Sequence, residues 1–192
     1  MTRATQHSRV KAVALAAGLT VLAPTAHYGN LALVDGSIPV EVQADGGSKT
    51  LDVPRYAWRT VLWGRCSVYA RRTAEALFGL QYSEQAAWNR RYHDDIVRSG
   101  DNLSLESLAN AEILKPGMIV GIKNPHTLLT EQTDERGLPA AYTHVVLYLG
   151  KDTQGNPLVA EQYGTRTLIR TERALRDAGL IPREIIAPKN VQ

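Results

Sequence analysis

The run Thr143-His144-Val145-Val146-Leu147-Tyr148-Leu149-Gly150 constrains the fold of this chain more than any other segment. It reads as a β-strand, in which successive side chains alternate between two faces. Val145, Leu147 and Leu149 share a wholly apolar face, which belongs against the main core. His144, Val146 and Tyr148 share the other. A helix carrying a reactive group is expected on the His144 side.

The elements before this strand read as helices and those after it as strands. Cys66, Tyr69, Ala70, Thr73, Ala74 and Leu77 fall on one stripe at helical spacing, with Gly79 as a C-cap. A second helix is expected from Ser83 through Trp88 towards Ile96 and Val97, and a short third one between Ser104 and Ala111. Lys115-Pro116-Gly117 reads as a turn into a strand at Met118–Ile122. Lys123 to Ala141 is polar and reads as a long loop, the kind that often serves as a lid or binding loop. After the central strand, Lys151–Pro157 turns the chain into a strand at Leu158–Tyr163. A fourth strand is expected at Thr165–Arg170, a helix at Thr171–Ala178 and an edge strand at Arg183–Ala187. Helices first and an antiparallel sheet second is an α+β arrangement.

Near the start, Leu31 to Val42 alternates like strands around a turn at Val34-Asp35-Gly36-Ser37, and Ala44–Ser48 reads as a flexible break. Residues 27–50 are therefore expected to form an N-terminal extension, and residues 51–192 the main domain. Before them, Arg3, Arg9 and Lys11 precede an apolar run from Val10 to Ala23, with small residues at Pro24-Thr25-Ala26. That pattern over residues 1–26 reads as a secretory signal peptide; the run is too short to span a bilayer. A secreted or periplasmic destination follows, with no stable membrane span. The same three cations account for the formal net charge of +3. The remainder is neutral, so nothing favours a nucleic-acid partner.

The chain has a single cysteine, Cys66, in Trp63-Gly64-Arg65-Cys66-Ser67-Val68-Tyr69-Ala70. A glycine-containing turn leads there into a helix, and a thiol at a helix start is biased towards its thiolate. Alone in an exported chain, it is either a small buried hydrophobe or a reactive thiol. His144 is the candidate base. A third group should orient the imidazole. If the strands flanking Asp152–Asn156 form a hairpin, Glu161 or Gln162 lies near His144. Their side chains point to opposite faces, so one residue of register decides between them. His93-Asp94-Asp95 lacks partner ligands at matching spacing and reads as a solvated helix face; no metal or organic cofactor is expected. Trp58, Trp63 and Trp88 read as core residues.

Four segments resemble those of papain-like cysteine hydrolases. Gly64-Arg65-Cys66-Ser67-Val68-Tyr69-Ala70 is similar to the G-Q-C-T-x-Y-A block of CHAP amidases, and Lys115–Val120 to their P-x-x-G-D-I-V strand entry. Thr143–Gly150 resembles the G-H-V strand of CHAP domains and the H-V-G-I-Y-L-G of NlpC/P60 peptidases, and Glu161-Gln162 falls where CHAP domains carry E-x-N. The resemblance spans roughly residues 54–165. It implies a papain-like core with N-terminal helices packed on an antiparallel sheet, and a peptidoglycan or muropeptide substrate. It also implies Cys66 as nucleophile, His144 as general base and Glu161 as orienting group. Arg65 stands where CHAP domains place a Gln that stabilises the oxyanion, and Tyr56 resembles a tyrosine upstream of the NlpC/P60 cysteine. Arg65, Tyr56 and Gln162 are the candidates for substrate or oxyanion contacts. The expected protein is a monomeric hydrolase of peptidoglycan amides. The alternatives are a non-catalytic wall-binding or envelope-assembly module on the same fold, and an exported toxin or protein-directed cysteine hydrolase.

Overall fold

The computed structural model describes residues 32–57, 65–82, 95–124, 143–164 and 166–188, without the side chains of 32–35, 56–57, 65 and 95. At its centre lies β5 (His144–Lys151), antiparallel to β4 (Ile119–Lys123) on one side and to β6 (Pro157–Tyr163) on the other. With β3 (Asp95–Ser99), β7 (Arg166–Thr171) and β8 (Ile181–Ala187) they form a six-stranded sheet, ordered β3-β8-β4-β5-β6-β7. Every neighbouring pair is antiparallel. The α+β class expected from the element order is therefore present.

The expectation that one face of β5 fronts the core and the other receives the cysteine-bearing helix is corrected. Both faces are buried. Helix α1 (Arg65–Phe78) lies on the Val145, Leu147 and Leu149 face, where Tyr69, Ala70 and Ala74 pack with Ile119, Ala160 and Ile186. Val146 and Tyr148 turn towards a second cluster, with Val120, Ile122, Val159 and Ile185. Leu105 of α2 (Leu105–Asn110) and Leu175 of α3 (Glu172–Asp177) cover that side. Alternation alone cannot assign the helix to a face when both faces are apolar.

The expected C-cap at Gly79 is present, and the structure identifies the N-caps of the two short helices. Gly79 ends α1 at φ +68, and its N–H closes the last turn on the Glu75 carbonyl at 2.9 Å. Ser104 caps α2 by accepting from Ser107 N at 3.2 Å, and Thr171 caps α3 by accepting from Ala174 N at 3.2 Å. Gly117 turns the chain at φ +90 directly beneath the end of α1. A Cβ there would stand 2.5 Å from the Leu80 side chain, so the turn needs glycine for room as well as for conformation.

Three expectations change. Residues 83–94 lie outside the described residues, and Ile96 and Val97 belong to β3, not to a helix. The strand expected at the edge over Arg183–Ala187 is internal: β8 (Ile181–Ala187) runs between β3 and β4. Its Ile185-Ile186-Ala187 run is buried on both faces, as an internal strand requires. The N-terminal segment is one long hairpin, β1 (Ala32–Ala44) with β2 (Gly47–Ala57), joined by the two residues Asp45-Gly46. The expected turn at Val34–Ser37 is an irregularity within β1, and the expected domain boundary after residue 50 falls inside β2. Val40, Val42, Leu51 and Val53 of this hairpin are buried against α1 and the sheet. Burying such side chains contributes roughly 1.5–3 kcal/mol each, which makes the hairpin part of the core. The segment read as a signal peptide, all three tryptophans and residues 125–142 of the long loop lie outside the described residues.

Candidate active site

Cys66 is the second residue of α1 and His144 the first of β5. The ring and the sulfur therefore meet around the end of the strand, although α1 lies on the face opposite to that of His144. The thiol lies close enough to the His144 ring and to the main-chain N–H groups of Val145 and Ser67 for each to favour its ionised form. The first N–H groups of an α-helix have no partner within the helix, and their dipoles favour a negative charge at this position. Cys66 is half-buried, and the His144 side chain is 14% exposed.

The other ring nitrogen is held from behind. His144 Nε2 lies 2.8 Å from Glu161 Oε2. An ionised carboxylate only accepts, so Nε2 carries the proton in this contact, which leaves Nδ1 for the thiol. The register explains the reach. Leu147 pairs with Ala160, which puts Glu161 opposite Val146, on the His144 face and one diagonal step away. Glu161 is wholly buried, and its second oxygen, Oε1, accepts from Arg170 Nε. Arg170 comes from β7, where it pairs with Val159, one diagonal step from Glu161 on the same face. Its guanidinium carbon stands 6.0 Å from the centre of the Tyr163 ring.

These contacts set the protonation states. Burial pushes the Cys66 thiol up, but the His144 hydrogen bond and charge, with the N–H groups of Val145 and Ser67, outweigh it, and the net shift is downward. Burial pushes His144 down, yet its bonds to Cys66 and Glu161 raise it well above the usual imidazole range. Burial likewise pushes Glu161 up, and His144 and then Arg170 more than reverse this, holding the carboxyl below its ordinary value. Both shifts favour a thiolate beside an imidazolium, and the two groups titrate as a pair.

The structure brings Cys66, His144 and Glu161 together, and it separates Gln162 from them. Gln162 donates from Nε2 to the Gly164 carbonyl at 3.2 Å and accepts at Oε1 from Thr167 Oγ1 at 3.3 Å. It spans the β6–β7 turn, so of the two rivals Glu161 is the one that faces the imidazole. Tyr56 lies in β2 and Arg65 opens α1, but both side chains lie outside the described residues, as do those of His93, Asp94 and Asp95. Among the described residues, no three His, Cys, Asp or Glu side chains cluster as metal ligands would. Arg170 was missed from the sequence. Its signal was present: counted back from the turn at Gly164, an expected strand at Thr165–Arg170 places a cation beside Glu161.

No family model, curated protein or solved structure matches the chain. Among the described residues, no helix is long and apolar enough to cross a membrane.

Proposed function

We propose that this protein is an exported cysteine hydrolase that cleaves amide bonds in peptidoglycan, on a papain-like core related to CHAP and NlpC/P60 domains. The observation that carries the proposal is the unbroken contact chain from Cys66 through His144 to Glu161. It unites a nucleophile at a helix N-terminus, a base on a strand and a buried carboxylate that fixes the base. The sequence motifs around Cys66 and His144 supply the substrate class.

In the proposed reaction the Cys66 thiolate attacks the amide carbonyl carbon. The main-chain N–H of Cys66, near the start of α1, is the donor this reading assigns to the oxyanion. As the C–N bond breaks, the His144 imidazolium gives its proton to the departing amine, leaving a thioester. A water molecule then adds to the thioester carbonyl, with its proton passing to neutral His144. Cleavage of the C–S bond releases the carboxylic acid and restores the thiolate. Glu161 stabilises the imidazolium through Nε2 and keeps the ring from turning.

Purified protein incubated with purified sacculi should release peptides that carry new amine ends, with the matching new carboxyl on the glycan or the remaining stem, identified by mass spectrometry. Cys66→Ala should abolish that release. Equal release by both proteins would defeat the proposal. A reactive Cys66 without release from sacculi, but with cleavage of protein substrates, would redirect it to a protein-directed hydrolase.

A further inference from the structure

We propose that Arg170 is a positioning residue for the Cys66–His144 pair, acting through Glu161. The proposal deepens the hydrolase reading and rests on it. Four groups from four elements touch in sequence: Arg170 of β7, Glu161 of β6, His144 of β5 and Cys66 of α1. When Cys66 is the thiolate and His144 the imidazolium, their charges alternate as cation, anion, cation, anion, and they sum to zero. Glu161 is 0% exposed, so its carboxylate is balanced by these neighbours and not by water.

Without Arg170 the remaining three groups carry a net negative charge in a largely dry site. The cheapest relief is uptake of one proton. Taken by Cys66, it destroys the nucleophile directly. Taken by Glu161, it removes the counter-charge that stabilises the imidazolium, and the thiolate loses its partner in turn. Either route moves formation of the thiolate to higher pH. The second contribution is geometric. Arg170 Nε fixes Oε1, which leaves Oε2 aimed at His144 Nε2. The other titratable or charged groups on this face are Tyr163, beneath the guanidinium, Arg166, an exposed residue paired with Tyr163, and Tyr148, which pairs with Val159 and whose phenol is pushed up by burial, so that it stays neutral. Arg166 is bathed in solvent and cannot replace a buried counter-charge.

The test is the pH profile of iodoacetamide alkylation, followed by intact mass on the full chain, in which Cys66 is the single cysteine. Arg170→Met should move the midpoint for thiolate formation up by about one unit, equivalent to roughly tenfold slower alkylation on the acid limb. Arg170→Lys should restore part of the shift, because it keeps the charge and loses the fixed geometry. In a Glu161→Gln background, Arg170→Met should move the midpoint by less than half as much. A wild-type midpoint in both Arg170 variants overturns the proposal, even if their melting temperatures fall, because a merely structural arginine would do just that. An undiminished shift in the Glu161→Gln background also overturns it. If Arg170→Met does not fold, Arg170→Lys alone decides, and an unchanged midpoint is the contrary result. The hydrolase reading fails separately: it falls if wild type and Cys66→Ala release the same products from sacculi, whereas a reactive thiol insensitive to Arg170 removes only this inference.

Discussion

The β5–β6 hairpin carries a carboxylate near each end, and the two are held in opposite ways. At the closed end, Asp152 organises the turn. Its Oδ1 accepts from Gln154 N and Asn156 N, each at 2.8 Å, and its Oδ2 accepts from Asn156 Nδ2 at 2.9 Å. At the open end, Glu161 is held by His144 from one neighbouring strand and Arg170 from the other. Both carboxyls sit below their ordinary pKa: Asp152 through hydrogen bonds within its own turn, Glu161 through charges brought from elsewhere. The first arrangement needs only a tight turn and open solvent. The second exists only when the whole sheet is assembled, and it is the one that reaches a thiol.

That contrast can be broken at several points. The largest expected effect is on turnover: Cys66→Ala should lower release from sacculi by on the order of 10³-fold or more. Next is stability. Glu161→Gln removes one member of a buried charged set and should cost about 3 kcal/mol in urea unfolding at neutral pH. The same substitution should flatten the acid limb of the stability profile. A carboxyl whose folded pKa is depressed contributes fully above its unfolded value, near 4.5, and that contribution is lost as pH falls through the folded value. His144 has the opposite sign. Its contribution is complete below the unfolded value of 6.5 and is lost as pH rises through the raised folded value, so His144→Ala should flatten the alkaline limb. The smallest effect belongs to the turn: Asp152→Ala should cost no more than about 1 kcal/mol, because its partners are exposed and water replaces it. It should leave the reactivity of Cys66 unchanged. A larger loss for Asp152→Ala than for Glu161→Gln would invert the comparison.

The same division governs what could be read from the sequence. Gly79, Ser104, Thr171 and the Asp152–Asn156 turn act on residues a few positions away, and their chemistry is visible in a short window. Cys66 and His144 were legible because a helix start and a strand mouth are local features too. The choice between Glu161 and Gln162 depended on the β5–β6 register, including its irregularity between Tyr148 and Gly150. Arg170 required one more register, from β6 to β7. The placement of α1 failed for a different reason: Val145, Leu147 and Leu149 are no better buried than Val146 and Tyr148. Ile96-Val97 and Ile185-Ile186-Ala187 were misjudged because short apolar runs fit a helix, an edge strand or an internal strand until their neighbours are known. The Asp45-Gly46 pair between β1 and β2 fits slack chain as well as a two-residue turn until the flanking strands are known to pair.

The central claim is that His144 keeps Cys66 ionised. Its most direct test is the alkylation midpoint of Cys66 in the wild type and in His144→Ala. The wild-type midpoint should lie below the ordinary thiol value of 9.0, and His144→Ala should carry it upward, because burial is then opposed only by the Val145 and Ser67 N–H groups and the start of the helix. A wild-type midpoint at or above that value, or one that does not move when His144 is removed, would contradict the claim.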